Sequence, residues 1–362
     1  MADKKKRSRK RNKQTDQFAH CGLPVVPDRA LESSIDPGRA FLIRYIEKKW
    51  VNNTILHYYF FNSPASWRGA DNQKDAVRNA FKTWKNLGIG LQFEEVANAT
   101  DAEIRIGFEP GGSWSYVGRD SIDIAGNPSQ RTMNFGWDLT TPYGRDTALH
   151  EIGHALGFPH EHQNPNTGIA WDVDAVNDYF SGPPNNWDED KIYHNIIRKI
   201  APAEVTGSTW DKDSVMHYRF GKGLIKVPTE YQNKALVPKA GLSDMDKAEV
   251  RKFYPAPSRK KLPVLKPFLS QIVRLGAGQQ LDYEIRPGAS RRYTVQTFGT
   301  MDTVIVLFED DNGTPIYLDG DDDSGTNYNS KIEIRLISGR TYYLRLRLYH
   351  STGMGQGGIM LW

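Results

Sequence analysis

An α+β body built on a mixed sheet and followed by an all-β domain is the fold class that this sequence predicts. Three observations carry the expectation. Between residues 54 and 109, short strand-like runs are interspersed with an amphipathic helical stretch. From Pro255 the chain reads PAPSRKKLPVLKP, a Pro/Lys/Arg composition typical of a linker. Beyond it, strand-like runs are punctuated by Gly/Asp/Asn turns as far as the C-terminus. The 362 residues suffice for one large or two ordinary domains, and 25% charged with 11% aromatic residues is the profile of a soluble, loop-rich globular protein. No run of 18 apolar residues occurs, so no transmembrane helix is expected.

Residues 17 to 50 read as a lead-in, FAHCGLPVVPDRALESSIDPG and then a helical RAFLIRYIEKKW. A strand is expected at TILHYYFF (54–61). A helix follows at KDAVRNAFKTWKNL (74–87), where Val77, Ala80, Phe81 and Trp84 line one face at spacings of three and four with Ala76 beside them. Further strands are expected at 91–96 and 102–109, and GGSWSYVG (111–118) reads as an extended edge segment. The next helix is DTALHEIGHALG (146–157): Asp146 or Thr147 caps it, Leu149, Ile152 and Leu156 form its apolar side, and Gly157 stops it. Residues 162–213 are loop-rich, with helical potential in DEDKIYHNIIRKI. A last helix is expected at 243–255, with Ser243 and Asp246 imitating a capping box and Pro255 ending it.

The domain boundaries that follow are 1–47 for a basic tail and pro-segment, 48–255 for the α+β body, 256–264 for the linker and 265–362 for a small β-sandwich. LDYEIRP, RRYTVQTFG, DTVIVLFED, KIEIRLIS, RTYYLRLRLY and GGIMLW supply the sandwich strands. One of its turns, DGDDDSG, crowds Asp319, Asp321, Asp322 and Asp323. Such carboxylates repel unless solvated or bridged by a hard cation, so a Ca²⁺ site and an exposed acidic turn both remain open, the regular calcium-loop spacing being absent.

The formal charge of +4 is unevenly placed, since residues 1–16 contribute +6 and the remainder −2. A basic segment without aromatics cannot offset its own ordering entropy and is expected to be disordered. It suits an anionic partner, an address, or plain solubilisation; no specific nucleic-acid partner is expected of the nearly neutral body. No apolar stretch of the kind found in secretory signals follows the basic residues. Cys21 is the only cysteine, which rules out an intrachain disulfide.

The chemistry concentrates in HEIGHALGFPHE (150–161). His150 and His154, four apart on a helix, share one face and can take two corners of a metal tetrahedron. Gly157 lets the chain leave the helix and bring His160 round as a third ligand. Three neutral imidazoles leave one position open, which distinguishes a catalytic zinc site from a closed structural one. Glu151 fits a base that takes a proton from water there and returns it to a leaving amine. A bare H-E-x-x-H arises by chance, but the third histidine after a glycine selects the metal reading over incidental histidines. His20, His57, His162, His194, His217 and His350 lack this spacing and are expected to be hydrogen-bonded or exposed.

This stretch resembles the H-E-x-x-H-x-x-G-x-x-H signature of metzincin zinc endopeptidases, and the Glu161 that follows resembles the astacin branch. DSVMHY (213–218) is similar to the astacin Met-turn. The resemblance implies an apolar floor at Met216 and a movable fifth metal ligand at Tyr218 that hydrogen-bonds the oxyanion during catalysis. GGSWSYVGR resembles the upper rim, so Trp114, Ser115 and Tyr116 are implied to pair with the backbone of a polypeptide substrate. LSDMDKAEVRKFY and KKWVNNTILHYYF resemble the closing helix and opening strand. Over residues 48–255 the resemblance therefore implies a mixed five-stranded sheet with an active-site helix, zinc as cofactor and endopeptidase activity.

The sequence departs from that family at Ser113, where a disulfide-forming cysteine is usual, and at HQNPNTGIAWD, where the specificity-shaping position is not recognisable. In mature astacins the residue equivalent to Glu161 helps anchor the processed N-terminus; no cleavage point is evident here. HCGLPVVPD resembles the cysteine-switch prosegments of matrix metalloproteases, which makes Cys21 a candidate inhibitory zinc ligand, with an idle buried thiol as the alternative. The C-terminal region resembles bacterial prepeptidase C-terminal sandwiches and favours a secreted destination, with cytoplasmic residence or a specialised delivery route as alternatives. A proteolytically inactive binding or adhesion protein working through the sandwich is the competing functional expectation. Oligomeric state is not legible, a monomer being favoured.

Overall fold

The computed structural model describes residues 18–26, 48–50, 52, 54–200, 209–256, 262–311, 314–349 and 353–362. The basic tail, most of the expected helix at 39–50, the middle of the linker and His350 lie outside these residues.

The first body is laid on a sheet of β1 (Ile55–Phe60), β2 (Gln92–Glu95), β3 (Ile104–Gly107), β4 (Trp114–Ser115) and β5 (Met133–Asn134), in the order β2-β1-β3-β5-β4. β2, β1, β3 and β5 run parallel, and β4 is antiparallel to β5 at the edge, which makes the sheet mixed and five-stranded. β1 alternates half-buried and buried residues, so Leu56, Tyr58 and Phe60 all point to one face. Against that face packs α1 (Asp71–Lys85), whose buried residues are Val77, Ala80, Phe81 and Trp84. Phe81 stacks on Tyr58 at a centroid distance of 4.3 Å. Removing a side chain the size of Val77 or Phe81 from water stabilises the body by about 1.5–3 kcal/mol.

A four-residue turn, α2 (Asp120–Asp123), precedes α3 (Pro142–Ala155), the helix that carries the HEIGH run. It begins earlier than the expected 146. Thr141 is the N-cap, its hydroxyl accepting from Gly144 N at 2.9 Å, and Pro142 occupies the first turn where no N–H is needed. Asp146 and Thr147 do not cap: Asp146 accepts from Gly241 N, and Thr147 Oγ1 donates to Tyr143 O. Every residue from Thr147 to Ala155 is buried, in a core shared with α1 and the Met-turn.

Residues 162–213 hold more structure than their composition suggests. They contain α4 (Val173–Phe180), capped by Asp172, and α5 (Glu189–Ile192), which runs on into a π-type turn to Ile197. A two-stranded ribbon joins β6 (Ala170–Trp171) to β7 (Ile225–Val227). Trp171, Phe180 and Trp187 of this stretch join Phe220 in a second core that also takes in Cys21 and Tyr218. α6 (Asp244–Phe253) closes the body behind the capping box of Ser243 and Asp246.

The sandwich consists of β8 (Gln271–Leu275), β9 (Gln280–Ile285), β10 (Arg291–Gly299), β11 (Thr303–Asp311), β12 (Thr314–Asp321), β13 (Lys331–Leu336), β14 (Tyr342–Leu348) and β15 (Gly355–Leu361). They form two four-stranded antiparallel sheets, β13-β10-β15-β8 and β12-β11-β14-β9, around one core. β8 and β12 are additions to the strands read from sequence. β14 also touches the first body: Arg345 Nη1 donates to Asn52 O and Arg347 Nη2 to Lys49 O. Among the described residues no helix is long and apolar enough to cross a membrane.

Candidate metal centre and active site

α3 presents His150 and His154 one turn apart, and Gly157, at φ 98°, reverses the chain to return His160. The Nε2 atoms of His150 and His160 lie 3.0 and 3.1 Å from that of His154. Cys21 Sγ closes the group at 3.0, 3.8 and 3.2 Å from the three nitrogens of His150, His154 and His160. All four residues are buried, and among the described residues they are the one group able to hold a metal ion.

The donor set fits zinc. Zinc–nitrogen bonds of about 2.0–2.1 Å in a tetrahedron put neighbouring nitrogens about 3.3 Å apart, and a thiolate about 3.5 Å from each. The tautomers agree as well. His150 Nδ1 lies 2.7 Å from Val215 O and His154 Nδ1 2.7 Å from Phe158 O, so each Nδ1 carries the proton and each Nε2 turns a lone pair inward. Burial holds all three imidazoles below their usual range and therefore neutral. Two bare lone pairs 3.0 Å apart in a dry interior repel unless a cation lies between them.

Glu151, next to His150, is fully buried with no hydrogen-bond partner for either carboxylate oxygen among the described residues. Burial pushes its carboxyl well above the usual range, offset in part by the neighbouring Cys21 thiol. Burial, then the Glu151 charge, pushes the Cys21 thiol up. Tyr218 lies over the site with its ring 4.2 Å from that of His160; its hydroxyl donates to Cys21 O and sits 3.3 Å from Cys21 Sγ.

Met216 lies beneath. A Cβ on Gly153 would meet Met216 Sδ at 2.3 Å, so the methionine rests on bare backbone between the two helical histidines. Gly153→Ala gains helix propensity of about 1 kcal/mol but overpacks this contact at about 1–3 kcal/mol. The expected net result is a lower thermal midpoint and weaker metal retention, read by calorimetry and metal analysis; an unchanged midpoint would show that Met216 moves freely.

Glu161 accepts from Asp211 N at 3.0 Å and Asn164 Nδ2 at 3.3 Å, and burial lifts its carboxyl to about 7. With Asp211 and Asp246 it lines an acidic recess walled by Trp84, Phe158 and Met216. Ser113 is buried and its hydroxyl accepts from Gly136 N. Trp114 and Ser115 form β4, and Trp114 meets Tyr116 edge-on at 6.0 Å. Asp321 of the acidic turn accepts from the backbone N–H of Ser324 and Lys331. Of the other histidines, His57 bonds Glu103, His162 bonds Asn195 O and His217 bonds Tyr218 O, and none joins the cluster.

No signal along the chain marks the residues that seat the Cys21 segment. Gly22 N donates to Ser113 O at 3.1 Å, Leu23 N to Asn195 Oδ1 at 2.8 Å, Phe18 N to Tyr179 OH at 2.7 Å, and Tyr143 OH donates to Ala19 O. All of these pairs are far apart in sequence, where no periodicity links them.

Comparison with known proteins agrees with this geometry. The solved structure of myroilysin is 30% identical, superposes with a TM-score of 0.51, and matches 58% of this chain and 97% of its own. Astacin-like metalloprotease toxin 1 of Loxosceles intermedia is 27% identical over 61% of this chain and 76% of its own length. Bone morphogenetic protein 1 of Xenopus laevis is 27% identical over 59% of this chain, but the match spans only 28% of that protein. The family model of the astacin peptidases matches residues 42–255, more than half of the sequence. With the histidine triad, Glu161 and the Met-turn in place, the chain belongs to the astacin family of zinc metalloendopeptidases.

Proposed function

We propose that this protein hydrolyses internal peptide bonds with zinc held by His150, His154 and His160, and that the segment around Cys21 keeps it latent until displaced. The convergence of three neutral imidazoles and one thiol on a single point carries the reading. Zinc, when bound there, supplies Lewis acidity that activates a water and polarises the scissile carbonyl. Glu151 takes the proton from the water and delivers it to the leaving amine, its free carboxylate oxygens being uncommitted. Tyr218, once its hydroxyl leaves the Cys21 carbonyl, donates to the oxygen of the former carbonyl. The Ser113 carbonyl, taken here by Gly22 N, is available to a substrate main chain, which supports a rim that binds polypeptides by backbone pairing.

Cys21 at the fourth corner excludes water from the site, which is the latency. The acidic recess at Glu161 suits the ammonium of a processed N-terminus. The sandwich fits a protein acting outside the cell, and zinc is the metal the donor set suits best.

The test is metal analysis with and without chelation. The expected result is about one zinc per chain; its removal by 1,10-phenanthroline abolishes peptide cleavage and lowers the thermal midpoint, and zinc chloride restores both. A site loaded at 1,000 times its Kd adds about 4 kcal/mol to folding stability, a shift readily seen by calorimetry. A midpoint and activity indifferent to chelation would sink the reading.

A further inference from the structure

His20 stands beside Cys21, and these two are the buried residues of the described segment 18–26. Its imidazole is sunk in a recess whose walls belong to the peptidase. Phe180 and Tyr218 lie at ring-centroid distances of 4.8 and 5.0 Å, Phe220 stacks at 6.2 Å, and Trp187 meets the ring edge-on at 6.5 Å. At the far end Nε2 lies 2.7 Å from the Arg219 carbonyl and donates to it, while Nδ1 faces Asn185 Oδ1 at 3.4 Å. The Arg219 guanidinium is engaged elsewhere, over the Tyr143 ring at 4.4 Å and toward Asp146 at 3.4 Å. The recess therefore offers aromatic faces and oxygen acceptors.

Its position next to the chemistry is fixed by Tyr218, which walls the recess and also lies 4.2 Å from His160. The segment that fills it runs along the substrate rim, through the Gly22 bond to Ser113. A substrate side chain entering here would thus belong to a residue flanking the bond that is cut.

We propose that this recess is a substrate side-chain pocket, which in the freed peptidase accepts a flat, uncharged ring with a polar hydrogen at its edge, histidine or tyrosine, beside the scissile bond. The inference rests on the zinc-peptidase reading above. A ring N–H or O–H satisfies the Arg219 carbonyl as His20 does, whereas an aliphatic side chain leaves it unpaired. A carboxylate would set acceptor against acceptor in a buried site, and a cationic side chain would lose its water without gaining a carboxylate.

The experiment uses the full chain carrying His20→Ala and Cys21→Ala, presented with a degenerate peptide library, with the same chain bearing Glu151→Ala as the control. His and Tyr are expected to be enriched about tenfold over Ala at one fixed position flanking the cut, with Asp and Glu depleted about tenfold. Adding Trp187→Ala, which opens a wall of the recess, is expected to bring the ring-to-Ala ratio to about 1. Independently of that variant, the otherwise unaltered full chain with His20→Tyr is expected to stay latent and that with His20→Asp to leak activity.

A flat profile, or enrichment of charged residues at the flanking positions, with cleavage still dependent on Glu151, overturns the pocket and leaves the peptidase reading standing. Equal activity of the His20→Tyr and His20→Asp chains overturns it too. Cleavage that survives Glu151→Ala instead removes the reading on which the pocket rests.

Discussion

Glu151→Ala is expected to lower kcat/KM for peptide cleavage by about a thousandfold or more while leaving zinc content unchanged. The separation of the two effects follows from where Glu151 sits. It shares α3 with His150 and His154, but its carboxylate is not among the four atoms that converge on the metal position. Both oxygens are buried and unpaired among the described residues, so no structural hydrogen bond is lost when they are removed. Truncation leaves a small dry void instead of a broken network, and the fold is expected to persist. Fluorogenic peptide kinetics with elemental analysis check this: activity within tenfold of the unaltered chain, or loss of the metal, would remove Glu151 from its assigned role.

Cys21→Ala in the full chain is expected to raise activity by about 10- to 100-fold. The thiol is the one group of the segment that enters the metal-binding set, at 3.0–3.8 Å from the three imidazole nitrogens. Removing it opens that corner to water and frees one of the two contacts of the Tyr218 hydroxyl. The rise is bounded because the rest of the segment remains anchored. Gly22, Leu23 and Phe18 keep their backbone bonds, each contributing about 0.5–1.5 kcal/mol, and His20 keeps its recess. The His20→Ala, Cys21→Ala chain is expected to go further than either change alone. Equal activity of the Cys21→Ala and unaltered chains would end the latency proposal and leave Cys21 as a buried thiol with no regulatory part.

Much of the first body was legible because its signals are local. Val77, Ala80, Phe81 and Trp84 recur at helical spacing and are the buried stripe of α1. Ser243 and Asp246 are three apart and form the capping box of α6. The three clustered histidines share one short stretch in which helix geometry and a glycine turn fix their relation. Where a signal is local but ambiguous, it misleads: Asp146 and Thr147 resemble caps, yet Thr141 followed by Pro142 starts α3 earlier, and Asp146 binds Gly241 instead. α4 is not legible in the sequence because only Val176 and Phe180 of its eight residues are buried, too few for a period to stand out.

The sequence by itself determined the close-set histidines, the neighbouring carboxyl and the order of a mixed-sheet body before a sandwich, because each is encoded by spacing within one short stretch or by the composition of adjoining ones. Only the tertiary structure decided that a thiol closes the group of three imidazoles. Cys21 is more than a hundred residues from His150, and its place depends on Asn185, Asn195, Tyr143, Tyr179 and Ser113 acting together. The same holds for the recess around His20, whose walls come from α4, the loop before α5 and the chain after the Met-turn. Contacts of that kind arise when distant segments close on one another to bury aromatic surface, and they leave no periodicity along the chain.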